Sequence, residues 1–527
     1  MARSSRRSLF LVVFFLLACG FLGILFAQRT GQASSSPSSD SDVKDSLKQF
    51  TDVYAVIEDN YAEPVNPDKA IYNGAIPGML HALDPHSNFF DPKSYALMRE
   101  DQRGKYYGVG MTVGPRNNKV IVIFPFTGTP AYKAGIHPGD VIIAVDGKST
   151  ENMSTGDVAD LLKGPKGTTV HISISREGVE KPMEFTLVRD EIPRYSVDVH
   201  FLIRPGIGYL HVTGFNETTE EEVSRALDEF GDLKGLILDL RGNPGGLLSE
   251  GVGVADKFLK KGQLIVSHHG RASAEKRYAA QHGNGGKDYP LVVLVNRLTA
   301  SAAEIVSGAI QDHDRGLIAG EVTFGKGLVQ TVYPLSENTG LALTTAHYYT
   351  PSGRLIQRDY SHQSFYDYYS HKDGVTRNAN DVKMTDSGRT VYGGGGITPD
   401  EEFKTPKLDP LERELYRSDL FSFTRWYFSR HTSKLPAGWL PDQQVLESLH
   451  DYLVDHKVDF KETDFMIDQD WIKRQLTKEM YLYAFDVDAS DKIFAKTDPE
   501  VKMAMESMPK AAALVANARK VMAKRRQ

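Results

Sequence analysis

The apolar positions along the chain change period several times, and each change marks a different kind of element. From Val43 to about Arg103 the spacing is helical, with Phe50, Val53, Tyr54 and Ile57 recurring on one face. Pro64, Pro67 and Pro77 cut that stretch into short helices. Residues 104–190 switch to period two: Val170, Ile172 and Ile174 alternate with His171, Ser173 and Ser175, the pattern of a half-buried strand. Gly-rich turns such as "KGPKGTT" flank that strand, and one helix is predicted at about 155–163. From 191 to about 404 strands and helices alternate. The runs "GLILDL" (235–240) and "LVVLVN" (291–296) are nearly all apolar, as strands covered on both faces are, and each leads through a turn into a helical pattern. Beyond Pro406 helical spacing returns, as in Ile472, Leu476, Met480 and Ala484, and the chain closes on the basic "ARKVMAKRR".

These periods predict a multidomain α/β protein. Its expected parts are an N-terminal apolar segment (1–27), a Ser-rich linker (28–42), a helical region (43–103), a β-rich module (104–190), an α/β core (191–404) and a C-terminal helical region (405–527). The length of 527 residues exceeds one ordinary domain, and 41% hydrophobic with 25% charged residues is a globular composition. A net charge of -6 without a dominant basic stripe gives no reason to expect a nucleic-acid partner. Cys19, the single cysteine, lies in the N-terminal apolar run, so the folded part has neither disulfides nor cysteine catalysis.

Arg3, Arg6 and Arg7 precede an uncharged run from Leu9 to Ala27, whose 19 residues would span ~28 Å as a helix. We expect a membrane anchor with the arginines in the cytoplasm and the catalytic part on the extracytoplasmic, periplasmic side. Two alternatives stand beside it: cleavage near Gly31-Gln32-Ala33, giving a secreted or periplasmic protein, and lipidation at Cys19 in "LLAC".

Several catalytic patterns are absent. There is no G-x-S-x-G elbow and no H-E-x-x-H zinc pair, and "GEVTFGKG" (320–327) lacks the hydroxyl that a phosphate-binding loop needs at its last position. No metal or cofactor is implied. None of the 16 histidines is singled out by its surroundings; His268-His269 reads equally well as a strand end. "TASAAEIVSGAI" (299–310) admits two readings. Ser301 and Glu304 have the spacing of a capping box at a helix start, and a serine there also sits at the positive end of that helix.

"TASAAEI", "TFGKGLVQ" and "LDLRGNPGGLL", with "GMLHALDPHSNFF", "YYTPSGRLIQ" and "GGGGITPD", resemble the C-terminal processing peptidases, the tail-specific Ser-Lys endopeptidases. The resemblance covers roughly residues 45–404. It implies Ser301 as nucleophile, Lys326 as general base and Gln330 as the residue that orients the lysine. It also implies an oxyanion hole from the backbone N–H groups of Ala302 and of a glycine in "NPGG", Gly246 being the choice. Ala303 stands where many members have a second serine, and Gly242 where many have Asn. "YYGVGMTV" with "PAYKAGIHPGDVIIAVDG" resembles a PDZ domain, which would present the N–H groups of Val109, Gly110 and Met111 to a peptide's C-terminal carboxylate. Asp84 and His86 of "LDPHS" read as turn formers.

Elementary chemistry agrees with this resemblance. A serine hydroxyl needs a base, and a lysine serves only when neutral, far below its usual pKa of about 10.4. Burial lowers a lysine pKa, and Phe324, Leu328 and Val329 are at hand to supply it. Gln330 is neutral and holds an amine without favouring its charged form. The fold expected is an α/β serine peptidase core with an inserted PDZ domain and helical N- and C-terminal regions. The activity expected is serine endoproteolysis of protein substrates recognised by their C-termini. A catalytically silent PDZ receptor and an exported hydrolase with a histidine base are the alternatives. A homo-oligomer is compatible with the sequence, which does not specify one.

Overall fold

The computed structural model describes residues 40–361, 364–370, 378–403, 407–431, 434–436 and 438–525. The chain forms two compact units, one ending at Ile76 and the other beginning at Pro77. In the first, helix Asp40–Asn60 carries Leu47, Phe50, Val53 and Ile57 as exposed residues. A short helix Pro67–Ala70 follows, capped by Asn66, which accepts the Lys69 N–H at 3.0 Å. Among the described residues no helix is long and apolar enough to cross a membrane. The expected anchor Leu9–Ala27, with Cys19, lies outside the described residues.

The second unit is built on a six-stranded sheet, counted among the described residues. Its order is Val197–Arg204, Ile207–Val212, Gly235–Asp239, Leu291–Val295, Leu317–Gly320 and Glu401–Glu402. The first pair is antiparallel and the remaining pairs are parallel. Every residue of Gly235–Asp239 and Leu291–Val295 is buried, and alternation sends them to opposite faces. Leu236, Leu238, Leu291 and Val293 pack with Val223, Val254, Val306 and Ile310 of three helices. Ile237, Val292 and Leu294 pack with Val501, Ala504, Met508 and Ala511 of the C-terminal region. Each of the Val, Leu, Ile and Met side chains among them gains about 1.5–3 kcal/mol by leaving water. A strand apolar on both faces needs two covers, and the C-terminal helices are the second one.

A second, antiparallel sheet joins Asn88–Phe90, Gly340–Tyr349, Leu264–Gly270 and Ser273–Ala279, with Leu328–Pro334 also pairing with Gly340–Tyr349. The β-rich module is a separate sheet ordered Met111–Arg116, Lys119–Pro125, Val141–Val145, Thr169–Ser175 and Met183–Val188. Val170, Ile172 and Ile174 are buried there, and His171 and Ser175 are exposed, which is the period-two alternation seen in the sequence. Helix Thr155–Leu162 starts at a capping box of Ser154 and Asp157. Its Val158 and Leu162 share a core with Met111 and Val113. Met111–Arg116 is an edge of its sheet, pairing only with Lys119–Pro125 among the described residues. The C-terminal region is helical, and Ile472, Leu476 and Met480 of helix Gln469–Ala484 are buried with Phe423, Leu446 and Leu449.

Candidate active site

The turn after strand Leu291–Val295 delivers Ser301 to the start of helix Ala302–Asp312. Thr299 fixes the turn: its Oγ1 accepts the Asn296 N–H (2.9 Å) and donates to the Leu240 carbonyl (2.8 Å). Ser301 itself has φ +54° and ψ −115°, a conformation that costs a residue with a Cβ about 1–3 kcal/mol and persists only where its surroundings over-determine it. The surroundings here are Glu304. Its carboxylate is fully buried and accepts four hydrogen bonds. Oε2 takes the backbone N–H groups of Ser301 (2.8 Å) and Lys326 (2.9 Å). Oε1 takes Thr323 Oγ1 (2.5 Å) and the Gly325 N–H (2.8 Å). Burial pushes the Glu304 pKa up, and these donors oppose it. One carboxylate oxygen therefore anchors the backbones of both Ser301 and Lys326.

The capping-box pairing of Ser301 with Glu304 is realised in the fold. Glu304 reaches back to the Ser301 N–H (2.8 Å), and the N–H of Glu304 also bonds the Ser301 carbonyl (2.8 Å).

Lys326 lies on the loop between strands Leu317–Gly320 and Leu328–Pro334, half-buried rather than on an open surface turn. Its Nζ donates to Gln330 Oε1 at 3.1 Å, and Gln330 Nε2 donates to the His86 carbonyl. Burial lowers the Lys326 pKa, with the charges of Glu304 and Asp84 working the other way. Tyr348, buried, gives its hydroxyl to the Lys326 carbonyl and to the Ser301 carbonyl (3.1 Å). Its own N–H holds the Gly327 carbonyl at 2.9 Å.

Asp84 and His86 do form a turn. Asp84 Oδ1 accepts the N–H groups of His86 (2.8 Å) and Ser87 (2.7 Å), the bonding of an Asx turn. The turn presents the His86 carbonyl to Gln330. Both His86 ring nitrogens are occupied, Nε2 with the Tyr368 hydroxyl (2.8 Å) and Nδ1 with that of Tyr369 (3.2 Å). Burial, then the positive Lys326, push the His86 pKa down to about 4, so the ring is neutral at pH 7. His268 and His269 sit on strand Leu264–Gly270, where His269 stacks on Tyr349 at 4.6 Å.

In "NPGG" the two glycines differ. Gly245 is buried and its N–H is taken by Asn243 Oδ1 at 2.8 Å. Gly246 is exposed, and among the described residues its N–H meets no protein acceptor; the same holds for the Ala302 N–H at the helix start. Gly246 has φ +144°, and a Cβ there would lie 2.1 Å from the Phe215 carbonyl oxygen, so no other residue fits. In the β-rich module Val109, Gly110 and Met111 are buried, so only backbone groups are on offer. The Val109 carbonyl is held by the Ala131 N–H (2.9 Å), and the Gly110 carbonyl by Thr129 Oγ1 (2.8 Å) and the Phe126 N–H (2.9 Å). Gly110 has φ +79°, and a Cβ would come within 2.4 Å of Thr129 Cβ.

Sequence reading missed Tyr348, Thr323 and the His86 carbonyl, and saw only the capping half of Glu304. Tyr348 and His86 act through register and loop geometry that no local pattern encodes.

Residues 206–363 match the profile of Peptidase family S41, 127–176 that of the PDZ domain and 19–94 that of the Activating protease CtpB N-terminal domain. The carboxy-terminal-processing protease of Bartonella bacilliformis is 40% identical over 317 residues, 59% of this chain and 72% of the relative. The carboxy-terminal processing protease CtpA of Bacillus subtilis is 35% identical over 334 residues, 62% of this chain and 71% of the relative. Among solved structures, a photosystem II D1 C-terminal processing protease is 30% identical and is matched over 68% of this chain and 87% of its own, with a TM-score of 0.35. The chain belongs to the carboxy-terminal-processing proteases, serine-type peptidases of family S41.

Proposed function

We propose that the protein is an endopeptidase with a Ser301–Lys326 dyad that cleaves protein substrates engaged by their C-termini. The observation that carries this reading is the pairing of Ser301 and Lys326 on one buried carboxylate, with the lysine amine half-buried against the neutral Gln330. At its ordinary pKa of about 10.4 a lysine is less than ~0.1% neutral at pH 7; the lowering by burial supports a role as base. Lys326 takes the proton of Ser301 Oγ as that oxygen attacks the scissile carbonyl. The tetrahedral oxyanion is received by the N–H groups of Gly246 and Ala302. The lysine then gives the proton to the leaving amine, and a water repeats the sequence to release the acyl group. Gln330, tethered to the His86 carbonyl, aims the amine without setting a negative charge beside it.

The PDZ module supplies the docking step. A substrate C-terminus adds to the free edge of Met111–Arg116, its carboxylate on the N–H groups of Val109, Gly110 and Met111. The Arg-flanked run Leu9–Ala27 supports an extracytoplasmic catalytic part, membrane-anchored or released by signal cleavage. The test is cleavage of protein pairs that differ only in their last residues by wild type, Ser301→Ala and Lys326→Ala. The reading expects wild type to discriminate between the pair members and both variants to be folded and inert. Cleavage by either variant at the wild-type rate refutes the dyad.

A further inference from the structure

The C-terminal helical region does more than cover the sheet. Arg241 opens the turn that runs from strand Gly235–Asp239 to Gly245 and Gly246, and its guanidinium is gripped from two sides. On the core side, Nε and Nη2 donate to Asp239 (3.0 and 2.6 Å), a carboxylate that is itself buried and bonded to the Tyr209 hydroxyl (2.8 Å). On the other side, Nη2 meets Asp498 Oδ2 at 3.0 Å and Nη1 donates to Glu500 Oε2 at 2.7 Å.

Both outer carboxylates belong to the start of one packed helix. Asp498 is the N-cap of helix Pro499–Glu506, its second oxygen accepting the Glu500 N–H at 2.8 Å. That helix buries Val501 and Ala504 against Ile237 and Val292 of the core sheet. From Arg241 onward the turn is wired to the serine. The Gly242 N–H donates to Asn296 Oδ1 (2.9 Å), and the Asn243 carbonyl accepts the Ala300 N–H (2.9 Å), one residue before Ser301. Asn243 Oδ1 holds the Gly245 N–H.

We propose that Asp498 and Glu500 are positioning residues of the peptidase: they hold Arg241 from outside, and Arg241 holds the turn in which Gly245 packs against Ser301 and Gly246 follows it. This rests on the reading of Gly246 as an oxyanion donor. The C-terminal region, some 250 residues beyond the turn in sequence, thereby sets the geometry of the transition-state site.

The experiment uses the full chain with Asp498→Asn and Glu500→Gln combined. Asn preserves the helix cap, since its side-chain oxygen still accepts the Glu500 N–H, and removes the charge facing Arg241. The readouts are kcat and KM on an internally quenched peptide, the thermal midpoint, and inhibition by a peptidyl aldehyde, whose adduct with the serine mimics the oxyanion. A displaced oxyanion donor is expected to lower kcat about 10- to 100-fold, as small misplacements of catalytic groups do. KM should stay within about twofold, the thermal midpoint should fall only modestly so that the variant is fully folded at the assay temperature, and aldehyde affinity should fall in parallel with kcat. An unchanged kcat overturns the proposal, as does a kcat that falls only in proportion to the folded fraction. If the double variant does not fold, Asp498→Asn and Glu500→Gln singly are read by the same two outcomes. Failure of the dyad itself would look different: wild-type activity would then survive Ser301→Ala, whatever the double variant does.

Discussion

Replacing Glu304 with glutamine isolates the link between the two catalytic backbones. Glu304 accepts from four donors, two on each oxygen, a setting that suits an acceptor-only carboxylate. A glutamine must place its NH2 at one end. Toward Oε2 it would face two backbone donors, those of Ser301 and Lys326, and both would lose their acceptor. Toward Oε1 it would face the Gly325 N–H and Thr323 Oγ1; the threonine hydroxyl already accepts the Ile397 N–H at 2.6 Å, and the Gly325 N–H would be stranded. The second orientation is the less costly, leaving one buried donor unpaired at about 1–3 kcal/mol. The displaced Gly325 carries Lys326 with it, and a shift of about 1 Å at a catalytic group is worth roughly 10²-fold in rate. The charge change acts separately. A negative Glu304 raises the Lys326 pKa, so its removal lowers that pKa, and the acid limb of kcat/KM moves to lower pH. Steady-state kinetics of Glu304→Gln across pH reads both effects. A variant with wild-type kcat and an unmoved acid limb would refute the shared-anchor argument.

Other perturbations have equally definite signs. Gln330→Glu sets a negative charge 3.1 Å from where Nζ now donates, so the lysine pKa rises and the acid limb of kcat/KM moves to higher pH; a limb that stays put would remove Gln330 from contact with the base. Tyr348→Phe deletes the hydroxyl that spans the Ser301 and Lys326 carbonyls, and the stranded acceptors should cost about 1–3 kcal/mol of stability, read by denaturant unfolding, together with a lower kcat. His86 resists protonation when folded, with its pKa pushed from 6.5 to about 4. Between those values the unfolded chain binds the extra proton, so stability falls as pH drops through that window. The slope of stability against pH should be shallower for His86→Gln than for wild type, and an equal slope would count against a buried neutral ring.

Much of this architecture is legible locally because it rests on patterns that one segment carries alone. The runs at 235–240 and 291–296 announce strands buried on both faces, and "TASAAEI" announces a helix start. What covers the second face is not legible there, because Val501, Ala504 and Met508 meet Ile237 and Val292 only through the tertiary fold. The same limit applies inside the site. Glu304 looks like half of a capping box because three of its four donors lie in residues 323–326, about twenty positions away. Tyr348 enters the site by strand register, with His347 paired to Leu328, and the His86 carbonyl by an Asx turn that its sequence suggests but does not aim. The serine and the lysine stand out through the resemblance to a known family; their common support on Glu304 is not legible even there.

The central claim is that Lys326 is the base for Ser301, and the most direct measurement is the rate at which an activated ester acylates Ser301 as pH is varied. In the wild type the adduct should map to Ser301, and its rate should rise through a single pKa below that of an ordinary lysine. In Lys326→Ala the rate at neutral pH should drop by about 10²–10⁴ and lose that limb, the contribution of a positioned general base. Acylation of Lys326→Ala at the wild-type rate, or an adduct on another residue, would contradict the account.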